Sequence, residues 1–466
     1  MLALTLSLGG CATFSQDGGM SLVRDVTNRG LGKDAVAIRS ADEAAAARAR
    51  VAQLLTRALT ADAAVQVALL NNRGLQAAYN ELASAEARMV QGSLPPNPTF
   101  SLSRVEGSAE IEIERKIVAN ILALATLPVR AKVEGIRFRQ AQLKAAEETL
   151  RIAAEARRAY YRAVAARERA RFLAQANSAA DTTAKLSVRL GQTGALNKLD
   201  QAREQVFYAE LTAQLATSRQ RETSDREALI RVLGLWGADL DFKLPNALPA
   251  LPTRPKAMAS VEIEAVRRRV DLQIARMELD ALAKSLGLTQ ATRFVSMLDA
   301  GFASKTTKEK ATGEIIRDRG IEVEFQIPLF DFGEARLRQA DASYMQAVNR
   351  LEEKAVNVRS EARNAYRVYR STYDIARHYE REVLPLRKII SDETLLRYNA
   401  MLIDVFALIT EARERTTANT AAIEAKQNFW LAATDLGTAI TGGGQSGGAE
   451  QGAQASAQAS SAPAEH

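Results

Sequence analysis

The sequence predicts a mainly α-helical chain with a small β contribution, built as a tandem duplication of one helix-strand-strand-helix unit. Three observations carry this reading. Only 11 prolines and 26 glycines punctuate 466 residues that are otherwise rich in alanine and arginine, both good helix formers. Three dissimilar blocks recur in the same order in the two halves. Two pairs of short segments alternate apolar and polar residues with period two.

At the amino terminus, residues 2 to 10 form an apolar run that ends in small residues directly before Cys11. This reads as a signal peptide over 1 to 10, and the missing basic n-region implies that the start is truncated. Leu8-Gly9-Gly10-Cys11 resembles the bacterial lipobox, which implies lipidation of Cys11 and makes residues 11 to 43 a lipidated linker. No segment has the length of apolar chain that a membrane helix requires, so any spanning must be by strands.

The repeat is read by sliding the chain against itself. At an offset of 197, Ala68, Leu75, Gln76, Ala78, Glu81 and Leu82 fall on Ala265, Leu272, Gln273, Ala275, Glu278 and Leu279. Ile111-Glu-Ile-Glu114 then matches Ile321-Glu-Val-Glu324, and Glu155 to Tyr160 matches Glu361 to Tyr366. The first unit is placed at 44 to 234 and the second at 259 to 438.

Within the first unit, residues 44 to 92 read as one helix stopped by Pro95-Pro-Asn-Pro98. Strands follow at about 97 to 118, where Phe100 and Leu102 alternate with Ser101 and Ser103. In the second unit, strands at about 293 to 330 flank a polar turn read as Lys305 to Gly320. Helices from about 130 to 190 and 334 to 397 contain almost no breakers. About 60 residues at 1.5 Å each give ~90 Å, too long for an ordinary domain, so they must form a long coiled assembly. Their alanine-rich faces need lateral partners for burial. Pro245, Pro249, Pro252 and Pro255 mark a connector over 235 to 258, and 439 to 466 reads as a disordered low-complexity tail.

Composition excludes several chemistries. One cysteine and two histidines leave no cysteine/histidine metal cage and no internal disulfide. No nucleophile, base and orienting group fall in a coherent spacing, so an enzyme is not expected and no cofactor is implied. The net charge of +7 comes with carboxylates interleaved among the basic residues. Solvated helix faces explain it, and no nucleic-acid partner is expected.

Taken in order, the motifs resemble the TolC-like outer-membrane efflux proteins, specifically lipoprotein members that serve tripartite pumps. The family's opening helix pattern stands as Leu59 to Leu69 with Asn71-Asn72 and Leu75. Its strand-to-helix signature stands as Ile327-Pro-Leu-Phe-Asp-Phe-Gly333 with Arg336, and Val383-Leu384-Pro385 precedes the tip. The first unit lacks that signature and offers Val118-Ala-Asn and Leu127-Pro128, while the second lacks the prolines found at 95, 96 and 98.

The resemblance implies a homotrimer in which each chain contributes four strands to a 12-stranded outer-membrane barrel, with the helices forming a tube through the periplasm. Elementary chemistry asks for the same closure, because strand edges in lipid must be paired. The implied function is a passive exit duct between a periplasmic adaptor, an inner-membrane transporter and the outside. Glu112, Glu114, Glu322 and Glu324 are then expected to face the lumen. The resemblance places adaptor docking at the tip turns, Gly191 and Gly194 in the first unit and Asn399 and Met401 in the second. Aperture candidates are Asp200, Arg397, Tyr398 and Asp404; the position matching Asp200 in the second unit is Ala407. A type I secretion duct shares this whole architecture, and a periplasmic coiled-coil adaptor or structural lipoprotein is the alternative of another class. The cargo is left open.

Overall fold

A computed structural model describes residues 13–326 and 330–444 of the chain. Cys11, the signal at 1 to 10, Ile327 to Leu329 of the signature and the tail from 445 lie outside the described residues. Among those described, the chain is mainly helical with one four-stranded sheet, and no helix is long and apolar enough to cross a membrane.

The elements run α1 (Met20–Leu31), α2 (Ala41–Leu55), α3 (Ala61–Asn71), α4 (Arg73–Ser93), β1 (Thr99–Glu106), β2 (Glu110–Asn120), α5 (Ile121–Gln192) and α6 (Lys198–Leu233). Then follow α7 (Val261–Arg268), α8 (Val270–Ala291), β3 (Leu298–Glu309), β4 (Ile315–Phe325), α9 (Glu334–His378), α10 (Leu384–Asn399) and α11 (Val405–Thr441). A π turn, Tyr379–Val383, joins α9 to α10 directly before Pro385. Proline has no N–H to continue the ladder, and the widened turn absorbs that loss.

The single helix expected over 44 to 92 is in fact three. Thr60 caps α3 by accepting from the Ala63 N–H. Asn72 then leaves helical geometry, and its side chain accepts from Leu75 N at 3.0 Å to start α4. The break is tertiary in origin. Asn71 Nδ2 donates to the Gly234 carbonyl at 2.6 Å and Asn72 Nδ2 to the Val232 carbonyl at 2.9 Å, satisfying the end of α6. Gly234 takes φ +68°, and a Cβ there would lie 2.8 Å from the Asn71 carbonyl oxygen.

Three further differences are local. Residues 20 to 31, expected within a linker, form α1 because Met20, Val23 and Thr27 recur on one buried stripe. The polar turn expected over Lys305 to Gly320 shrinks to 310–314, since the flanking charged residues pair in the ladder. Residues 439 to 441, expected in the tail, complete α11 with Ile440 buried.

The chain divides into two compact units. One holds Tyr79–Ala145 and Asp271–Ala355 with the described residues before Val23. It contains the sheet, in antiparallel order β1-β2-β3-β4. The other holds Val23–Ala78, Ala146–Val270 and the chain from Val356. In it, the proline-rich connector is laid against aromatic side chains. Tyr373 Oη donates to the Pro252 carbonyl at 3.0 Å, Trp430 Nε1 donates to the Pro249 carbonyl at 3.1 Å, and Lys256 N donates to Tyr369 Oη at 3.1 Å. Phe429 is fully buried among Tyr369, Tyr373 and Trp430.

Candidate functional site

The sheet separates its residues by chemistry. Directly paired residues share a face, so one face carries Glu110, Glu112, Glu114 and Lys116 of β2. The same face carries Asp299, Lys305 and Glu309 of β3 and Asp318, Glu322 and Glu324 of β4. Eight carboxylates against two lysines stand there, and both lysines are engaged. Lys305 Nζ lies 2.6 Å from Glu112 Oε1, and Lys116 reaches Glu322 across β3, where Gly301 and Ala303 are small enough to let it pass. Glu114 and Glu324 make no ion pair among the described residues, so the face keeps an acidic excess.

The other face is apolar near the helices, basic toward the hairpin ends and mixed in its last row, Glu106, Ile111, Lys308 and Ile315. Its rows, read across the strands, begin with Leu298 opposite Phe325, then Ala119, Ala300 and Val323, then Phe100, Ile117, Phe302 and Ile321. The next row is Leu102, Arg115, Ser304 and Arg319, and the one after it Arg104, Ile113, Thr306 and Arg317. These apolar side chains are open to the surroundings, Ile321 at 84%. Beside the sheet's base, Phe294, Phe330 and Phe332 are exposed too. An apolar sheet face of this kind is unstable in water and suited to lipid.

The base is built by the described part of the signature. Asp331 Oδ1 accepts from Ala335 N at 3.0 Å to cap α9. Arg293 Nε donates to the Phe332 carbonyl at 3.0 Å, and Arg336 donates back to the Arg293 carbonyl. In the first unit, Asn120 Oδ1 accepts from Ala123 N at 2.6 Å, so α5 starts straight after β2 and carries Pro128 inside it.

At the helical tip, α5 turns into α6 and α10 into α11. Gly191 ends α5 where a Cβ would meet Gln201 Oε1 at 2.6 Å, and Gly194 turns at φ +77° in open space. Asn197 caps α6 and Asp404 caps α11, the latter accepting from Ala407 N at 2.9 Å. Asp200 accepts from Asn197 Nδ2 at 2.6 Å and pairs with Arg203 at 3.2 Å. Arg397 pairs with Glu393 on its own helix at 3.2 Å. Tyr398 is half-buried and Asn399 exposed. Among the described residues, no hydrogen bond or ion pair joins Asp200 to Arg397, Tyr398 or Asp404. Asp200, Arg397 and Asp404 are each satisfied within their own turn or helix.

What the tip does bring together is a pair of buried acids. Glu204 of α6 and Glu411 of α11 are 2% and 7% exposed and line one cavity of about 410 Å³ with Phe207, Leu211, Leu395 and Ile409. In each, Oε1 has no hydrogen-bond partner. Burial pushes the Glu204 carboxyl above its ordinary range, and it pushes Glu411 the same way against the opposing Arg387 charge at 3.3 Å. Around them the tip is apolar and open, with Leu199, Leu396 and Leu402 exposed and Met401 at 93%.

No family model matches the chain. It is 25% identical over 305 residues to the cobalt-zinc-cadmium resistance protein CzcC of Cupriavidus metallidurans, which covers 61% of this chain and 67% of that protein. Among solved structures it is similar to CusC, with TM-score 0.68 and 16% identity over 82% of this chain and 92% of that one. A membrane protein from Pseudomonas aeruginosa gives TM-score 0.71 and 17% identity over 84% and 92%. The outer-membrane channel CmeC of Campylobacter jejuni gives 0.69 and 15% over 85% and 88%. The chain has the fold of the TolC-like outer-membrane efflux proteins.

In this TolC-like fold the four glutamates picked from the sequence share one sheet face. Sequence reasoning missed Lys116, although its period-two spacing from Glu112 and Glu114 put it on that face, and Lys305, which shares the face only through its pairing with Glu114 across β2 and β3. It also missed Glu204 and Glu411. The available signal was distance along the chain: the caps Asn197 and Asp404 are 207 residues apart, and so are the two buried glutamates.

Proposed function

We propose that this chain is the outer-membrane exit duct of a tripartite efflux system, conducting cargo passively from an inner-membrane transporter and a periplasmic adaptor to the outside. The observation that carries this is the two-faced sheet with unpaired edges. β1 and β4 each pair on one side only, and an apolar face backed by an acidic one has a stable setting in a closed barrel with lipid outside and water within. Three copies contribute four strands each to a 12-stranded barrel, and the acidic face, with Glu112, Glu114, Glu322 and Glu324, lines the lumen.

The duplicated unit is part of the same reading. Breaks in the opening helices fall at Asn72 and Arg269, both with extended backbone and both donating N–H to the carbonyl four residues back. The sheet then receives one hairpin from each half. Adaptor docking belongs to the tip, where Gly191, Gly194, Asn399 and Met401 form the turns among exposed leucines. Asp200, Arg397, Tyr398 and Asp404 change partners there when the aperture opens. Cys11 carries the lipid anchor, with intact-mass measurement of the mature amino terminus as its check.

For cargo, divalent metal cations fit best. The eight-to-two excess of carboxylates on the lumen face attracts cations, and the relative CzcC is named for cobalt, zinc and cadmium resistance. A strain lacking this chain should accumulate zinc and regain export on complementation, and native mass spectrometry of the purified protein should give three chains. A folded monomer, or unchanged zinc levels, contradicts the corresponding part of the reading.

A further inference from the structure

The basic residues on the apolar face of the sheet are not explained by a duct. Arg104, Arg115, Arg317 and Arg319 share that face with Phe302 and Ile321, and all four are exposed. Arg104 meets Glu106 at 3.5 Å, but that carboxylate is already held by Lys310 at 2.8 Å. Arg115, Arg317 and Arg319 make no ion pair among the described residues. The opposite face holds an acidic excess, so the arginines could have found carboxylates by a one-residue shift in position and did not.

Their depth is set by the rows. At a strand rise of about 3.4 Å per residue, Arg115 and Arg319 stand ~20 Å beyond the row of Leu298 and Phe325, and Arg104 and Arg317 ~27 Å beyond it. Strand tilt shortens these heights somewhat. A lipid-facing arginine is costly at mid-membrane and nearly free at the interface, which puts these rows at the far interface, opposite the exposed phenylalanines at the base, with only the mixed row of Glu106, Ile111, Lys308 and Ile315 beyond them. Guanidinium groups bind phosphate in a bidentate fork, and their aliphatic stems lie well along apolar surface.

We infer that these four arginines form a docking surface for the phosphate groups of a phosphorylated lipid of the outer leaflet, whose acyl chains cover the apolar rows below. The match is to an amphiphile: charge and apolar surface are continuous on one face, in the order headgroup then chain. This rests on the barrel reading above, in which three copies repeat the group of four arginines around the lipid-facing surface.

The test uses the full-length protein in detergent, with native mass spectrometry counting bound diphosphorylated lipid A against its fully dephosphorylated form. The wild type should hold the phosphorylated lipid at least ten-fold more tightly. The combined variant Arg104→Gln, Arg115→Gln, Arg317→Gln, Arg319→Gln should lose that preference, whereas Arg219→Gln with Arg359→Gln, two exposed helix arginines, should keep it. Equal binding of the two lipids by the wild type overturns the inference whether or not the variant folds. A parallel measurement separates the two readings: Phe302→Trp in proteoliposomes should be quenched by brominated lipid beyond the signal of Trp236 and Trp430. Quenching without phosphate preference overturns the docking surface alone, and no quenching overturns the lipid-facing barrel beneath it.

Discussion

Two regions of the helical unit differ in how far one chain completes its own bonding. Around Phe429, the tyrosine hydroxyls, the indole N–H and the connector carbonyls all find partners within the chain, and the rings pack against each other at 5.1 to 5.6 Å. At the tip, apolar side chains point outward and two buried carboxylates each leave an oxygen unpartnered. The first region is finished as a monomer. The second is arranged for something that comes and goes, since an interaction worth about 1 kcal/mol is readily exchanged.

The largest expected effect breaks the finished region. Phe429→Ala removes a fully buried ring and should cost about 3–5 kcal/mol, read as a lower denaturant midpoint with loss of near-ultraviolet signal from the aromatic cluster. Next comes Gly234→Ala, which meets both the left-handed φ and the Asn71 carbonyl. It should cost about 1–3 kcal/mol and loosen the docking of α3 on α6, seen as faster amide exchange at Asn71 and Asn72.

At the tip the effects are smaller and depend on pH. Because burial holds Glu204 and Glu411 above their ordinary carboxyl value of 4.5, the folded form binds protons that the unfolded chain has released. Their contribution therefore favours the fold at low pH and is lost as pH rises through the raised values. Glu204→Gln with Glu411→Gln should flatten the rise in thermal midpoint expected as pH falls from neutral through the raised carboxyl range. An unchanged slope would mean that neither carboxyl is protonated in that window. Smallest is Met401→Gly. Met401 holds φ +59° where the first turn has Gly194, so glycine should stabilise the hairpin by up to about 1 kcal/mol, read as a small rise in denaturant midpoint.

The sheet was legible in the sequence because its pleat forces a period of two, and alternation at Phe100 to Ser103 or Ile111 to Glu114 can hardly mean anything else. The second hairpin was read too short in strand for a physical reason. Lys305, Lys308, Arg317 and Asp318 look like turn residues by composition, yet they pair across β3 and β4 where both faces are open. Arg269 carries no breaker signal and Asn72 only the weak one of a capping residue, because what fixes the bends there is contact with distant residues such as Val232 and Glu361. At the tip, residue type drew attention to Asp200, whose first-turn position leaves it content with Asn197 and Arg203. Seven residues past the cap, Glu204 faces inward instead, a consequence of helix phase that charge alone does not reveal.

The duct proposed above requires the acidic sheet face to line a water-filled path through a membrane. Planar-bilayer recording of the purified full-length protein under a salt gradient tests it most directly. Discrete conductance steps are expected, with a reversal potential displaced toward cation selectivity and shifted toward zero when Glu112, Glu114, Glu322 and Glu324 are all changed to Gln. Inserted protein that passes no current, or a reversal potential indifferent to those four carboxylates, would contradict it.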